Sequence, residues 1–266
     1  MKKVITLLTD FGLRDPYVGA MKGVILSICP DANIVDISHE IRKFDIRQGA
    51  YVLAASAPFF PKGTIHVGVV DPGVGTSRKA IIIETKKSFY IGPDNGLLTL
   101  AALREGVKKV VQITNSKYML PRVSRTFHGR DIFAPAAAYL ANGVPIENFG
   151  PLLEEYEILS FSKPHVRKDQ IEGEIIYVDG FGNIVTNIYS EILEKVGISE
   201  EDKIKVLLND KLGKVLKICK AYNEVKKGEF LAIIGSGNFL EISINQGNAA
   251  KKLNVKEGAK IKIKLT

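Results

Sequence analysis

The sequence is poor in the groups that build covalent or metal-based frameworks. It has two cysteines among 266 residues, Cys29 and Cys219, with no CxxC spacing. That excludes a disulfide scaffold or a zinc knuckle and predicts two buried thiols. The four histidines, His39, His66, His128 and His165, show no HxxxH or HExxH spacing, so neither a metal nor another cofactor is expected. No apolar run approaches the roughly 18 uncharged residues a membrane helix needs. The run in MKKVITLLTDFG is too short for a secretory h-region, which makes a cytoplasmic protein with no membrane partner the expectation. A Walker loop is absent, and the GVGTSR stretch carries Arg78 where a dinucleotide fingerprint needs its last glycine.

What is present suits globular folding: 45% hydrophobic and 25% charged residues, enough for one large or two moderate domains. The net charge of +8 is spread along the chain, with 20 Lys and Arg against 15 Asp and Glu before residue 166, and 17 against 14 from there on. Stretches such as KVLKICK and KIKIKLT alternate lysine with apolar residues, as solvated strand faces do, so no nucleic-acid partner is expected.

The first part alternates β-branched runs (KVITLLTD, NIVDIS, TIHVGVV, AIIIET, SFYIG, KVVQIT) with helical patterns (PYVGAMKGVILSI, RQGAYVLAASAPFF, GLLTLAAL, RDIFAPAAAYLANG). This pattern predicts an α/β domain over residues 1–165, its mostly parallel sheet flanked by helices. From residue 166 to 266 seven closely spaced strand patterns, interrupted by the short helix SEILEKVG, predict a smaller all-β barrel or sandwich. Pro164, in the charged stretch SFSKPHVRKDQ, marks the boundary between them. No internal repeat or low-complexity segment is present.

Ligands of open α/β sheets sit beyond the carboxyl ends of the strands, and two polar turns fall there. In TDFGLRDPY, Asp10 can accept both hydroxyls of a ribose, or Asp10 or Asp15 can cap the following helix. In VVDPGVGTSR, Asp71 ends a strand and Arg78 follows a turn in which Gly73 and Gly75 let backbone approach a ligand. An ordinary exposed ion pair across the turn is the alternative. His128 lies in RTFHGRDIF, before a glycine and a helix start. In the second domain, YVDGFGNIVTN carries Asp179, Phe181 and Asn183, and SGNFLEISINQGNAA carries Ser236, Asn248 and Ala249. Such loops suit a purine stacked on Phe181, and they equally suit plain hairpin turns.

Taken together, LLTDFG, KGVILSICPDANIVDISHEI, FFPKGTIHVGVVDPGVGTSR, IGPDNGLLT, RTFHGRDIFAPAAAYLANG, YVDGFGNIVTNI and SGNFLEISINQGNAA resemble the S-adenosyl-L-methionine hydroxide adenosyltransferases, relatives of the fluorinase and chlorinase enzymes. The resemblance implies hydrolysis of S-adenosyl-L-methionine. Water, as hydroxide, attacks the ribose C5′ and expels methionine, leaving adenosine. It also implies a homotrimer whose active sites form between the amino-terminal domain of one subunit and the barrel of the next.

On the same basis Asp71, Arg78 and His128 match the residues around the attacking water, and Asp10 matches the ribose-binding carboxylate. Phe44 matches an aromatic beside the ligand, Asp179 and Asn183 match residues that hold the methionine part, and Ser236, Asn248 and Ala249 fall in the adenine-binding turns. Bulk water, with a pKa of about 15.7, must lose a proton. The implied division of labour has Asp71 orienting and accepting, Arg78 stabilising charge and His128 relaying the proton. A halogenase is disfavoured, because Asp71 repels halide and Gly129 lacks the hydroxyl of the fluorinase serine. A purine-nucleoside binding protein without turnover is the alternative of a different class.

Overall fold

The computed structural model describes residues 3–159, 162–167, 170–208 and 211–266. The chain forms two compact units, Met1–Ser160 and Phe161–Thr266.

The first unit is built on a six-stranded sheet. Its strands are β1 (Val4–Thr9), β2 (Asn33–Ser38), β3 (Ile65–Val69), β4 (Ala80–Thr85), β5 (Phe89–Pro93) and β6 (Val107–Gln112), in the order β2-β1-β3-β5-β4-β6. The pairs β2·β1, β1·β3 and β3·β5 are parallel, whereas β4 is antiparallel to both β5 and β6. One reversed strand therefore interrupts an otherwise parallel sheet. Strands covered on both faces read as near-continuous apolar runs, which is why VITLL dominates parallel β1 and AIII dominates antiparallel β4, both of which lie between two cores.

Helices α1 (Tyr17–Ile28) and α4 (Ala134–Ala141) pack with Ile5, Leu7, Val67 and Ile82 in one core. Leu8, Ile81 and Ile83, on the opposite face, join α2 (Ile46–Ser56) and α3 (Thr99–Glu105) in another through Leu53, Ala54, Ala101 and Ala102. Each such fully buried Ile or Leu contributes roughly 1.5–3 kcal/mol. Pro16 stands just before α1, at its cap, and no side chain caps that helix, so neither Asp10 nor Asp15 is held there as a capping group.

The second unit comprises β7 (His165–Arg167), β8 (Gln170–Val178), β9 (Ile184–Tyr189), β10 (Lys203–Leu208), β11 (Lys211–Cys219), β12 (Phe230–Ile234), β13 (Phe239–Ile244) and β14 (Lys260–Leu265). Seven of them, β8 to β14, close into a barrel through the β14·β8 pairing, and β7 pairs with the outer part of β8. Closure removes the sheet edges that an open sandwich exposes. Ile175, Ile188, Ile204, Leu240 and Ile261 fill its interior, with α5 (Ser190–Lys195) and α6 (Ala249–Leu253) packed against it. Both cysteines are buried and unbridged.

Candidate active site

The reversed direction of β4 brings Arg78 to the carboxyl end of the sheet. Asp71 follows the end of β3, and the chain returns at Lys79 to start β4 from the same edge. Within that loop Gly75 has φ +78°, and a Cβ there would lie 2.2 Å from the Arg125 carbonyl oxygen. Only glycine lets this loop lie against the segment that carries His128. His128 itself precedes a π-helical turn, Gly129–Phe133, that leads into α4. Turns of this kind widen a helix start and recur at functional sites.

The three residues meet. The Arg78 guanidinium donates from Nε to Asp71 Oδ1 at 3.1 Å and from Nη2 to Oδ2 at 2.5 Å; Nη1 donates to the Lys79 carbonyl at 2.8 Å, and Nη2 lies 3.0 Å from His128 Nδ1. The side chains of Arg78 and Asp71 are only 8% and 5% exposed, so this is a buried bidentate pair and not a solvated turn clasp. Phe133 lies under the guanidinium, 5.5 Å from ring centre to Cζ. Arginine can only donate, so His128 Nδ1 accepts and a neutral ring carries its proton on Nε2. Burial, and next the Arg78 charge, push the His128 pKa below the usual imidazole value against the opposing pull of Asp71 and Asp131, keeping the ring neutral.

Asp10, at the end of β1, is buried, and its Oδ2 accepts from the Phe44 amide at 2.9 Å. Phe44 adopts φ +66° and is 70% exposed. A bulky residue in that backbone region carries strain of order 1–3 kcal/mol; here it aims an amide at Asp10 and leaves the ring at the surface. Lys43 donates to the Asp10 carbonyl oxygen. Asp10, Phe44, Asp71 and His128 line one cavity of about 350 Å³, together with Phe11, Asp15, Tyr17, Lys43 and Phe127.

The barrel residues form a separate group. Asp179 Oδ1 accepts from the Phe181 and Asn183 amides at 2.9 and 2.8 Å, and Oδ2 accepts from Asn183 Nδ2 at 2.9 Å, fixing the β8–β9 turn. The turn holds the Phe181 ring 82% exposed. Gly182, at φ +86°, lets Asn248 pack where a Cβ would come within 2.1 Å of its side chain. Asp179, Phe181, Asn183 and Asn248 line a cavity of about 620 Å³ with Tyr222 and Asn245. Ser236 and Ala249 do not join that lining: Ser236 is exposed in the β12–β13 turn, and the Ala249 methyl is buried in the barrel core.

Two residues near this cavity escaped the sequence reading. Tyr222 sits in a short 3₁₀ turn whose sequence, AYNEV, carries no motif. Glu241 alternates along β13 with the core residues Leu240 and Ile242 and so reads as solvent-facing, yet it is 9% exposed with Tyr222 Oη 3.5 Å from its Oε2. Burial, and then the neighbouring Asp179 charge, raise its pKa to about 7. Among the described residues no cluster of three His, Cys, Asp or Glu side chains is arranged to hold a metal ion, and no helix is long and apolar enough to cross a membrane.

A bidentate carboxylate–guanidinium pair presents a neutral imidazole to a cavity that also contains a second, separately held carboxylate, an arrangement of the kind enzymes use to orient a polar molecule and move its proton. Sequence comparison agrees: the profile of the SAM hydroxide adenosyltransferase N-terminal domain matches residues 5–150 and that of the C-terminal domain matches residues 173–262. The chain belongs to the SAM hydroxide adenosyltransferase family. It is 43% identical over 261 residues to the (R)-S-adenosyl-L-methionine hydrolase of Methanocaldococcus jannaschii, covering 95% of this chain and 92% of that protein. It is 29% identical to the fluorinase of Actinoplanes sp., over 98% and 97% of the two chains. The crystal structure of an uncharacterized conserved protein from Thermotoga maritima superposes with a TM-score of 0.93 at 43% identity, covering 97% of this chain and 99% of that one.

Proposed function

We propose that this protein hydrolyses S-adenosyl-L-methionine to adenosine and L-methionine, and that it prefers the R configuration at sulfur for which its hydrolase relatives are named. The observation that carries the reading is the buried Asp71–Arg78 pair, joined to the partly buried His128 and opening on the cavity that also contains Asp10.

In this mechanism Asp10 binds the ribose hydroxyls through the oxygen its Phe44 contact leaves open. Water lies against Asp71 and His128. Its oxygen forms a bond to C5′ as the C5′–S bond breaks, the electron pair passing to sulfur and converting a sulfonium to a neutral thioether. The leaving group needs no acid. The water becomes acidic as the C–O bond forms, so an Arg78-held carboxylate too weak to make free hydroxide still accepts the proton late in the step, then passes it to solvent. Because Arg78 occupies His128 Nδ1, His128 serves through Nε2–H, donating a hydrogen bond that orients the water, and the relay expected of it is confined to that atom. The Arg78 charge, acting in a partly dehydrated pocket, favours hydroxide character.

In the barrel, Asp179 and Asn183 hold the methionine part, and Phe181 stacks on the purine beside Asn248. Ser236 contributes from its exposed turn, and Ala249 through its backbone alone. The family resemblance supports completion of each catalytic cavity by the barrel of a neighbouring copy in a homotrimer, with scattering mass as the direct test.

Halide transfer fits poorly. Asp71 carries negative charge to the nucleophile position, and a Cβ on Gly129 would stand 3.2 Å from Met21 Sδ and 3.3 Å from the Phe127 ring, so a serine there requires both side chains to give by a few tenths of an ångström. Incubation of purified protein with the separated sulfur epimers in ¹⁸O-labelled water tests the reading. Labelled adenosine, formed faster from the R epimer, is expected. Unlabelled 5′-chloroadenosine in chloride buffer, or adenosine binding with no methionine released, overturns it.

A further inference from the structure

Phe11, Tyr17 and Phe127 line the catalytic cavity, yet the mechanism above gives them no task. They form a cluster of mutually tilted rings: Phe11 and Tyr17 lie 5.7 Å apart at 62°, Phe11 and Phe127 5.8 Å apart at 76°, and Tyr17 and Phe127 5.2 Å apart at 81°. Arg130 already lies over the Phe127 ring, its Cζ 5.0 Å from the centroid, and is itself neutralised by the buried Asp131. Phe127 is thus braced by a cation of its own, and Phe11 and Tyr17 form with it an aromatic corner of the cavity lining. Tyr17 is 45% exposed although it begins a helix with a buried face. Ring faces attract cations electrostatically, and the carboxylates of Asp10, Asp15 and Asp71 line the same cavity.

We propose that the Phe11–Tyr17 corner is a specificity site for the positively charged sulfur of the substrate, recognising the sulfonium by cation–π attraction and losing its grip once that sulfur becomes a neutral thioether. The inference rests on the proposed function and extends it. It has a kinetic consequence. The attraction is strongest before reaction and vanishes as charge leaves sulfur, so it tightens substrate binding without lowering the barrier from the bound state, and it favours release of the methionine product.

The test compares three probes on wild type, Tyr17→Phe, Tyr17→Leu and Phe11→Leu: S-adenosyl-L-methionine, its uncharged thioether analogue S-adenosyl-L-homocysteine, and adenosine. Wild type and Tyr17→Phe are expected to bind the sulfonium about tenfold more tightly than the thioether, the scale of a partly desolvated cation–π contact. Each leucine variant is expected to lose most of that preference, raising KM with kcat unchanged or higher, while affinity for adenosine stays within about twofold. Equal weakening toward all three probes means the rings act only in packing and overturns the inference, as does a kcat loss at constant KM. Adenosine binding and thermal melting of each variant separate misfolding from a lost contact. If wild type releases no methionine, the proposed function itself fails, whereas charge preference in binding still reports on the corner.

Discussion

The two cavities use their polar groups in opposite ways. In the α/β unit, charge is concentrated and directed outward: Asp71, Arg78 and His128 satisfy one another in a partly buried chain that still presents Asp71 and His128 to the cavity, and Asp10 spends one oxygen on a backbone amide. In the barrel, Asp179 lines the cavity while both its oxygens also fix its own turn through Phe181 and Asn183, and that turn sets an exposed aromatic ring beside it. The first arrangement suits a group that must meet changing charge, where preorganised dipoles outweigh water. The second suits adhesion to a flat ring, where area and orientation matter more than charge.

The sharpest way to break this contrast is Asp71→Asn, which keeps the shape but leaves the Arg78 cation without its partner. A fall in kcat of about 10²–10³, with adenosine affinity nearly unchanged, is the expected result in single-turnover kinetics. A loss confined to KM would show that Asp71 serves binding. The same contrast predicts that Phe181→Ala raises KM about tenfold, as loss of a stacking ring of roughly 1–1.5 kcal/mol does, with kcat held. Mixing subunits of Asp71→Asn with subunits of Asn183→Ala adds an assembly readout: sites shared between copies regain activity on mixing, and sites within one copy do not.

Proton dependence separates the halves further. Because burial, and next the Arg78 charge, hold His128 below the usual imidazole value, the acid-side decline of kcat/KM is expected at lower pH than a free imidazole would give, when a proton on Nδ1 would face Arg78. A profile that falls off already above pH 7 would contradict the neutral-ring assignment.

Glu241 predicts the smallest effect. Its unfolded form ionises near 4.5 and its folded form near 7, so the native state holds a proton across that window that the unfolded chain has lost. Stability contributed at this position therefore falls as pH rises from about 4.5 to 7 and is level above it. Glu241→Gln should remove that decline and melt a few degrees higher than wild type at pH 8 by calorimetry, on the scale of about 1 kcal/mol for a domain of this size.

Much of this was legible from residue patterns. The six strand runs and four helical patterns of the first unit correspond to β1–β6 and α1–α4, and the seven strand patterns after residue 166 correspond to β8–β14. Apolar runs reveal themselves because both sheet faces are covered. The reversal of β4 did not show, since AIIIET has the same composition whichever way it runs, and strand order depends on contacts far apart in the chain. The Asp71–Arg78–His128 meeting was foreseen through family motifs; spacing alone left an exposed ion pair equally open, and the low exposure of both side chains removes that alternative. Glu241 was hidden because alternation describes a strand's own faces, and cannot register that a 3₁₀ turn folds over the outer one.

The single strand that runs against its neighbours has an evolutionary corollary. Because β3 ends and β4 begins at one rim, the short connector between them can exchange its side chains while both anchors stay in register. Relatives that include hydrolases and fluorinases, matched over 92% and 97% of their own chains, are what such a rim permits: the loop can be rewritten while the scaffold around it is inherited whole.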